Sequence, residues 1–165
     1  MMPNQPIVRF QSIVLQPHRM QFVIDELPAI TVCAAGWIYG GMEERPFTAF
    51  AVSVAVLFSL VLLYRFIYLR QTRYYIGSEQ IISKHGVLSR KTDYMEQYRI
   101  VDFVEHQSFM QQLCGLKTVH IFSMDRNTPQ LDLVGIRRNL DVVTLIRERV
   151  EYNKRKKGIY EITNH

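Results

Sequence analysis

A short basic segment is the part of this sequence best suited to bind a ligand. Lys84 and His85 precede Gly86, and Arg90 and Lys91 follow it within the length of a tight turn. Clustered Arg and Lys side chains bind phosphate groups through charge-assisted hydrogen bonds. The segment therefore predicts a candidate site for the headgroups of anionic lipids. The alternative is a diffuse attraction between a basic turn and an anionic membrane surface, without a specific site.

Residues that could support catalysis or bind a metal are dispersed along the chain. The sequence contains no H-E-x-x-H or C-x-x-C pair, no G-x-S-x-G nucleophile turn, and no P-loop or G-x-G-x-x-G phosphate-binding loop. Cys33 and Cys114 each lack a companion at metal-ligand spacing, and we expect no disulfide between them in a reducing cytoplasm. The sequence thus predicts a protein without enzymatic activity, metal ion or cofactor.

The elements that must position the basic turn begin with two apolar stretches, residues 27–42 and 47–69, on either side of a short polar turn. The second stretch would form a helix of about 35 Å, which exceeds the hydrocarbon core of a bilayer at roughly 30 Å. The first reaches only about 24 Å, a shortfall that thinning of the bilayer can meet. The pattern predicts a transmembrane helical hairpin over residues 22–70. The alternative for the first stretch is a buried amphipathic or re-entrant segment.

Small residues recur at four-residue spacing in both stretches, where they predict close packing of the two helices. Small faces allow helix backbones to approach each other in lipid. In an antiparallel hairpin Gly40 would face Ala51 and Gly36 would face Ala55, and Ser59 continues the second ridge. The alternative is that Gly and Ala are simply common in membrane helices.

The charges beside the hairpin predict its orientation. Basic residues such as Arg19 and Arg70 lie beyond its outer ends, whereas the connecting turn contains Glu43 and Glu44. The positive-inside rule therefore places both termini in the cytoplasm. We expect no cleavable signal peptide, because the N-terminal segment lacks a basic region followed directly by an apolar core.

The chain after the hairpin predicts one small cytoplasmic domain over residues 71–157. β-Branched and aromatic residues alternate with the turn signals Gly77-Ser78 and His85-Gly86, which indicates antiparallel strands. A strand or extended arm is also expected within residues 1–21, and residues 158–165 form a tail. The predicted strands are residues 72–76, 80–85, 87–97, 100–106, 117–124 and 130–136.

A final amphipathic helix is predicted by an apolar stripe, with Asn139 as its cap. The net charge of +5 is carried by residues 137–157, where eight basic residues outnumber three acidic ones. Because this basic cluster lacks interleaved aromatic side chains, nucleic acid is not an expected partner. The stripe consists of Val142, Val143, Ile146 and Val150.

Strands followed by one helix are the order of the pleckstrin-homology (PH) superfold. Residues 71–150 resemble the PH-like domain of small bacterial membrane proteins, through I-x-x-x-x-G-x-L-x-R at residues 81–90, R-I-V-D-F-V-E-H-Q-S at 99–108 and G-L-x-T-V at 115–119. Gly77-Ser78 departs from the threonine or aspartate usual there. The resemblance implies an α+β fold in which a bent antiparallel sheet or barrel of seven strands is capped by one helix. It also implies the bacterial inner membrane as the location, and it does not imply an enzymatic activity.

These observations predict a non-enzymatic, membrane-anchored binding or scaffold module that acts through protein contacts or homo-oligomerisation. Ala29 and Cys33 form a further small pair, which a single antiparallel contact would leave free for self-association. One alternative is anionic-lipid binding by the basic turn, as in the corresponding loop of many eukaryotic PH domains. A more distant one is an oligomeric channel or transporter accessory subunit. The expected partners are the lipid bilayer, a protein or a second copy of the chain, and anionic lipids.

Overall fold

The computed structural model describes residues 10–42 and 46–158 of the chain. Its two longest helices, α1 (Arg19–Gly40) and α2 (Thr48–Gln71), pack against each other as a hairpin. Both are long and apolar enough, by length and composition, to cross a membrane. Cys33 and Ala55 are the buried apolar residues of the two helices, and most of the remaining apolar side chains are exposed. Such a surface is poorly suited to water and well suited to lipid.

The first helix is longer than predicted. It begins at Arg19, where the backbone N–H of Met20 donates to Nδ1 of the capping residue His18 at 3.3 Å. Its 22 residues span about 33 Å. The first two turns carry Gln21, Asp25 and Glu26, so the apolar part of α1 remains shorter than that of α2.

In the described part of the chain, seven strands form two antiparallel sheets, with the orders β1-β2-β3-β4 and β5-β6-β7. The strands of the described residues do not close into a barrel. The predicted α+β class, with antiparallel strands followed by one C-terminal helix, is confirmed. The elements are β1 (Ile13–Leu15), β2 (Arg73–Ile76), β3 (Gln80–His85), β4 (Lys91–Glu96), β5 (Ile100–His106), the short helix α3 (Phe109–Leu113), β6 (Leu116–Ser123), β7 (Gln130–Arg137) and α4 (Val142–Lys156).

The helical hairpin is inserted between the first and second strands of one sheet. β1 precedes α1 and pairs with β2, which follows α2, so that Val14 lies opposite Tyr75. The strand expected near the N-terminus is therefore present. Because β1 and β2 are neighbours, both outer ends of the hairpin meet the same domain. The two flanks of the hairpin must share one side of any membrane that it crosses.

Within the domain after the hairpin, two boundaries differ from the sequence prediction by more than one residue. β4 begins at Lys91 rather than at residue 87, because residues 86–90 form the turn that precedes it. The cap of α4 is Asp141 rather than Asn139, since the backbone N–H of Thr144 donates to the Asp141 carboxylate at 3.1 Å. Hydrogen bonds from Thr144 also lower the pKa of Asp141. Asn139 lies in the preceding turn, where Leu140 donates to the carbonyl of Arg137.

The face of α4 that packs on the sheets is only partly apolar. The predicted stripe is confirmed: Val142, Ile146 and Val150 are buried and Val143 is half-buried. Two polar side chains on the same face, Arg149 and Asn153, are also buried, which the stripe did not predict. Both donate to backbone carbonyls in and beside the β2–β3 turn. Hydrogen bonds thus compensate their removal from water.

Candidate functional site

The predicted basic turn lines a cavity of about 420 Å³ beside the end of α2. Antiparallel pairing places Lys84 of β3 opposite Arg73 of β2. The β3–β4 turn, residues 86–90, therefore lies beyond Arg73 on the side of α2. The structure brings together all four residues predicted from sequence and adds two arginines: the basic lining consists of Lys84, His85, Arg90, Lys91, Arg70 and Arg73.

Arg70 and Arg73 were not predicted from the sequence as part of this site. The available signal was the Gly77-Ser78 turn, which joins the two strands predicted on either side of it. In the structure this connection sets the register in which residue 73 lies opposite residue 84. Arg70 lies three residues before Arg73, near the end of α2, and is therefore close to the same turn.

A carboxylate partly balances the positive charge of the cavity, and only on the side that Lys91 and His85 occupy. Asp93 lies 3.1 Å from Nζ of Lys91, and its second oxygen lies 3.9 Å from Nε2 of His85. Lys84 packs over an aromatic face, with Nζ 5.0 Å from the centre of the Tyr75 ring. Lys91 and His85 thus share one carboxylate, whereas Lys84 is held by a cation–π contact.

Three arginines give the cavity its uncompensated charge. Arg70, Arg73 and Arg90 are exposed, and none forms an ion pair with another residue that the structure describes. Among the residues that the structure describes, none that lines the cavity is acidic. Guanidinium groups in this arrangement favour phosphate or carboxylate ligands, which they bind through two parallel hydrogen bonds.

The shape of the basic turn depends on Gly86. Its φ angle is +113°, a conformation that other L-residues rarely adopt. A Cβ atom at this position would lie 1.9 Å from the carbonyl oxygen of Ser89. The turn therefore requires glycine, and it is this turn that carries Arg90 into the cavity.

A family model described as bacterial PH domain matches residues 22–150. The chain belongs to the bacterial PH domain family. The match includes the helical hairpin and extends to the middle of α4, so it covers most of the chain and leaves β1 outside. No curated protein and no solved structure matches the chain. Membership of the family confirms the resemblance found in the sequence and supports a binding or scaffold module.

The hairpin of this PH protein packs through small residues, and one of the two predicted glycine contacts is present. A Cβ atom at Gly36 would lie 3.0 Å from Cβ of Ala55 and 3.5 Å from the carbonyl oxygen of Ala51, which confirms the pairing of Gly36 with Ala55. Gly40 instead faces Val52, whose Cγ2 would lie 2.5 Å from a Cβ atom at Gly40. The contact predicted between Gly40 and Ala51 is thus shifted by one residue along α2.

Cys33 belongs to this helix contact. It is buried, and its Sγ lies 3.2 Å from Oγ of Ser59. Ser59, one of the predicted packing residues, also accepts a hydrogen bond from Nε1 of Trp37 at 3.1 Å. Cys33 is therefore not free for contacts between copies of the chain, which removes one of the arguments for self-association. Self-association itself stays a prediction.

One ion pair between the two helices was not predicted from the sequence. Arg65 Nη1 donates to Oε1 of Glu26 at 2.5 Å, and the Glu26 side chain is largely buried. The antiparallel register that places Gly36 opposite Ala55 also places residue 26 opposite residue 65. Residue 26 lies ten positions before Gly36, and residue 65 lies ten positions after Ala55. The small-residue spacing alone did not predict this pair, which depends on the folded arrangement of the two helices.

Buried polar contacts fix the hairpin to the PH domain. Gln111 of α3 donates to Oε1 of Gln21 at 3.0 Å and to the hydroxyl of Thr118 at 2.9 Å. The backbone N–H of His18 donates to the carbonyl of Gly135 at 2.9 Å. α1 is thus tied to the second sheet while α2 continues into the first. The basic cavity consequently has a defined position relative to the base of the hairpin.

Metal ligands do not converge in the part of the chain that the structure describes, since no three His, Cys, Asp or Glu side chains there could hold an ion together. His120 instead lies 2.8 Å from a carboxylate oxygen of Asp132. The absence of enzymatic activity stays a prediction.

Proposed function

We propose that this bacterial PH domain protein is a non-enzymatic, membrane-anchored module whose basic cavity binds the headgroup of an anionic lipid. In this proposal the hairpin crosses the bacterial inner membrane and both termini are cytoplasmic. The observation that carries it is the cluster of basic side chains at the end of an apolar helix, where no described lining residue has a carboxylate.

The location of the cavity favours a lipid ligand. The apolar run of α2 ends at Leu69, and Arg70 already lines the cavity. If α2 spans a bilayer, its last turn lies at the depth of the headgroups. A lipid phosphate would then meet Arg70, Arg73 and Arg90 without leaving the leaflet. Because tethering fixes the distance, even weak intrinsic affinity would give substantial occupancy.

Charge reversal tests this site in the full chain. We expect the triple variant Lys84→Glu, Arg90→Glu and Lys91→Glu to lose selective retention of anionic lipid in nanodiscs that contain a mixture of anionic and zwitterionic lipids. Native mass spectrometry of the released protein would count the lipids retained. The loss should be larger at low than at high ionic strength, because salt screens exposed charges.

A matched control separates the cavity from overall charge. Arg126→Glu, Arg155→Glu and Lys157→Glu change the net charge equally, at exposed positions outside the cavity. Lipid retention should survive in this control. Equal retention of anionic lipid by the cavity variant and the wild type would refute headgroup binding.

Membrane topology needs a separate experiment. A reporter that functions only in the cytoplasm should be active when fused after His165. A reporter that functions only after export should be inactive at the same position. Activity of an exported reporter at this position would contradict the proposed orientation.

A second candidate function is protein binding at the open edge of the second sheet. β5 is one of the two edge strands of that sheet, and its Val101 and Val104 are about half exposed, at 49% and 45%. An exposed edge strand can accept a strand from a partner or from a second copy. We expect Val104→Pro to abolish any crosslinked species formed in native membranes, whereas Val101→Thr should not. Mass determination in nanodiscs would also test the oligomer that a channel requires.

A further inference from the structure

We infer that the side chain of Leu88 inserts into the lipid leaflet beside α2 and holds the mouth of the basic cavity against the membrane. This inference rests on the proposed membrane anchoring, and it specifies the form of the ligand. The cavity would take the headgroup of a lipid that remains in the bilayer, rather than a soluble phosphate compound.

Leu88 is the most exposed large apolar residue that the structure describes. Its relative exposure is 91%, at the tip of the β3–β4 turn. Burying a leucine side chain contributes favourable free energy, which this residue does not obtain within the folded chain. Arg90 and Lys91, which line the cavity, follow it two and three residues later in the same turn and at the start of β4. An apolar tip between cations is the combination that binds an anionic membrane surface.

The direction of the turn follows from the strand pairing. β2 leads away from α2, and β3 returns antiparallel to it, with Arg73 opposite Lys84. The turn that carries Leu88 must therefore lie at the hairpin end of the sheet. Two further contacts agree with this position: the His85 ring lies 6.2 Å from the Tyr68 ring of α2, and Arg70 lines the same cavity as Arg90.

The opposite end of the same strands has a different character. The β2–β3 turn presents Ser78 and Glu79, which are exposed and polar. Gln97 binds this distal turn through the carbonyl of Gly77 at 3.1 Å. An exposed leucine thus occurs at the end of the strands that faces the hairpin, and polar residues occur at the end that faces away.

Tryptophan fluorescence of the full chain in liposomes can locate Leu88. The background is Trp37→Phe, which removes the single native tryptophan. Leu88→Trp reports on the turn, and because the position is exposed the larger ring should not disturb the fold. Met124→Trp is the matched control, since Met124 is 80% exposed and its N–H binds the carbonyl of Arg99, close to the distal turn.

Lipids brominated near the glycerol end of the acyl chains serve as quenchers. We expect Leu88→Trp to show blue-shifted emission and strong quenching, and Met124→Trp to show neither. Quenching of both positions to the same extent, or of neither, would overturn the inference. Wild-type protein reports on anchoring through Trp37, which should be quenched by lipids brominated deeper in the chain; an unquenched Trp37 would overturn both proposals.

The same series separates insertion from headgroup binding. Quenching of Leu88→Trp in purely zwitterionic liposomes, without selective retention of anionic lipid, would support insertion and refute headgroup binding. Selective retention of anionic lipid without quenching of Leu88→Trp would refute insertion and leave headgroup binding in place.

Discussion

Replacing Arg149 should destabilise the PH domain and release its N-terminal arm. The residue is 4% exposed on α4, and its guanidinium donates to three backbone carbonyls from two distant segments. The distances are 2.9 Å to Ile76, 2.6 Å to Gly77 and 2.8 Å to Gln11. The guanidinium carbon also lies 5.3 Å from the centre of the Phe10 ring. Arg149 thus connects α4, the end of β2 and the segment that leads into β1.

The magnitude follows from these bonds. A hydrogen bond to a charged group contributes about 1.5–3 kcal/mol, but water would reach some of the released carbonyls. We therefore expect Arg149→Ala to lower the free energy of unfolding by about 3–5 kcal/mol, a large share of the stability of a small domain. Arg149→Lys should cost roughly half as much, because an ammonium group cannot match the planar donor arrangement of guanidinium. Burial lowers the pKa of Arg149, in keeping with a cation held by neutral carbonyls.

Equilibrium unfolding of the full chain in mild detergent would measure the change, and hydrogen exchange would locate it. Residues 10–15 should lose protection in Arg149→Ala before the rest of the domain does. Arg155→Ala is the control on the same helix, because Arg155 is exposed and pairs with Glu151 at 3.8 Å. It should change stability by less than about 0.5 kcal/mol. A change below about 1 kcal/mol in Arg149→Ala, with protection of residues 10–15 retained, would refute the reasoning.

Two further predictions concern the hairpin and the pH dependence of stability. Gly36→Ile should weaken helix packing by about 1–3 kcal/mol, because its Cβ alone would approach Cβ of Ala55 to 3.0 Å. Unfolding in detergent would measure the change. The control Ala35→Ile, on the exposed face of α1, should be neutral, and equal effects of the two substitutions would contradict the packing. Burial raises the pKa of Tyr74 to about 12, so its neutral form is favoured in the folded state. The stabilisation is fully present below pH 10, the ordinary pKa of tyrosine, and should be lost as pH rises toward 12. Tyr74→Phe should flatten this pH dependence, although the Val134 N–H loses its acceptor; an unchanged slope would contradict the assignment.

Much of the fold could be predicted from sequence because its signals are local. The apolar length of residues 47–69, the alternation in β6 and the stripe from Val142 to Val150 each depend on residues that are close in the chain. Val119 and Ile121 are fully buried while the intervening His120 is not, as strand alternation requires. Boundaries were predicted less accurately: the cap of α4 is Asp141 rather than Asn139, because residues 137–140 form a turn before the helix.

The candidate site was predicted only in part. Lys84, His85, Arg90 and Lys91 are neighbours in sequence, so their clustering around one turn was visible without a structure. Arg70 and Arg73 required knowledge of which strands pair and in which register.

Local signals in the chain were enough to define the helical hairpin, the strand-rich domain, the final helix and the basic turn, because hydrophobic periodicity and turn chemistry act over a few residues. Only the folded arrangement reveals that β1 joins a sheet across the hairpin, that Glu26 pairs with Arg65 and that Arg149 is buried. The physical reason is common to all three. A polar group can leave water only where hydrogen-bonding partners meet it, and here those partners come from segments far away in the chain.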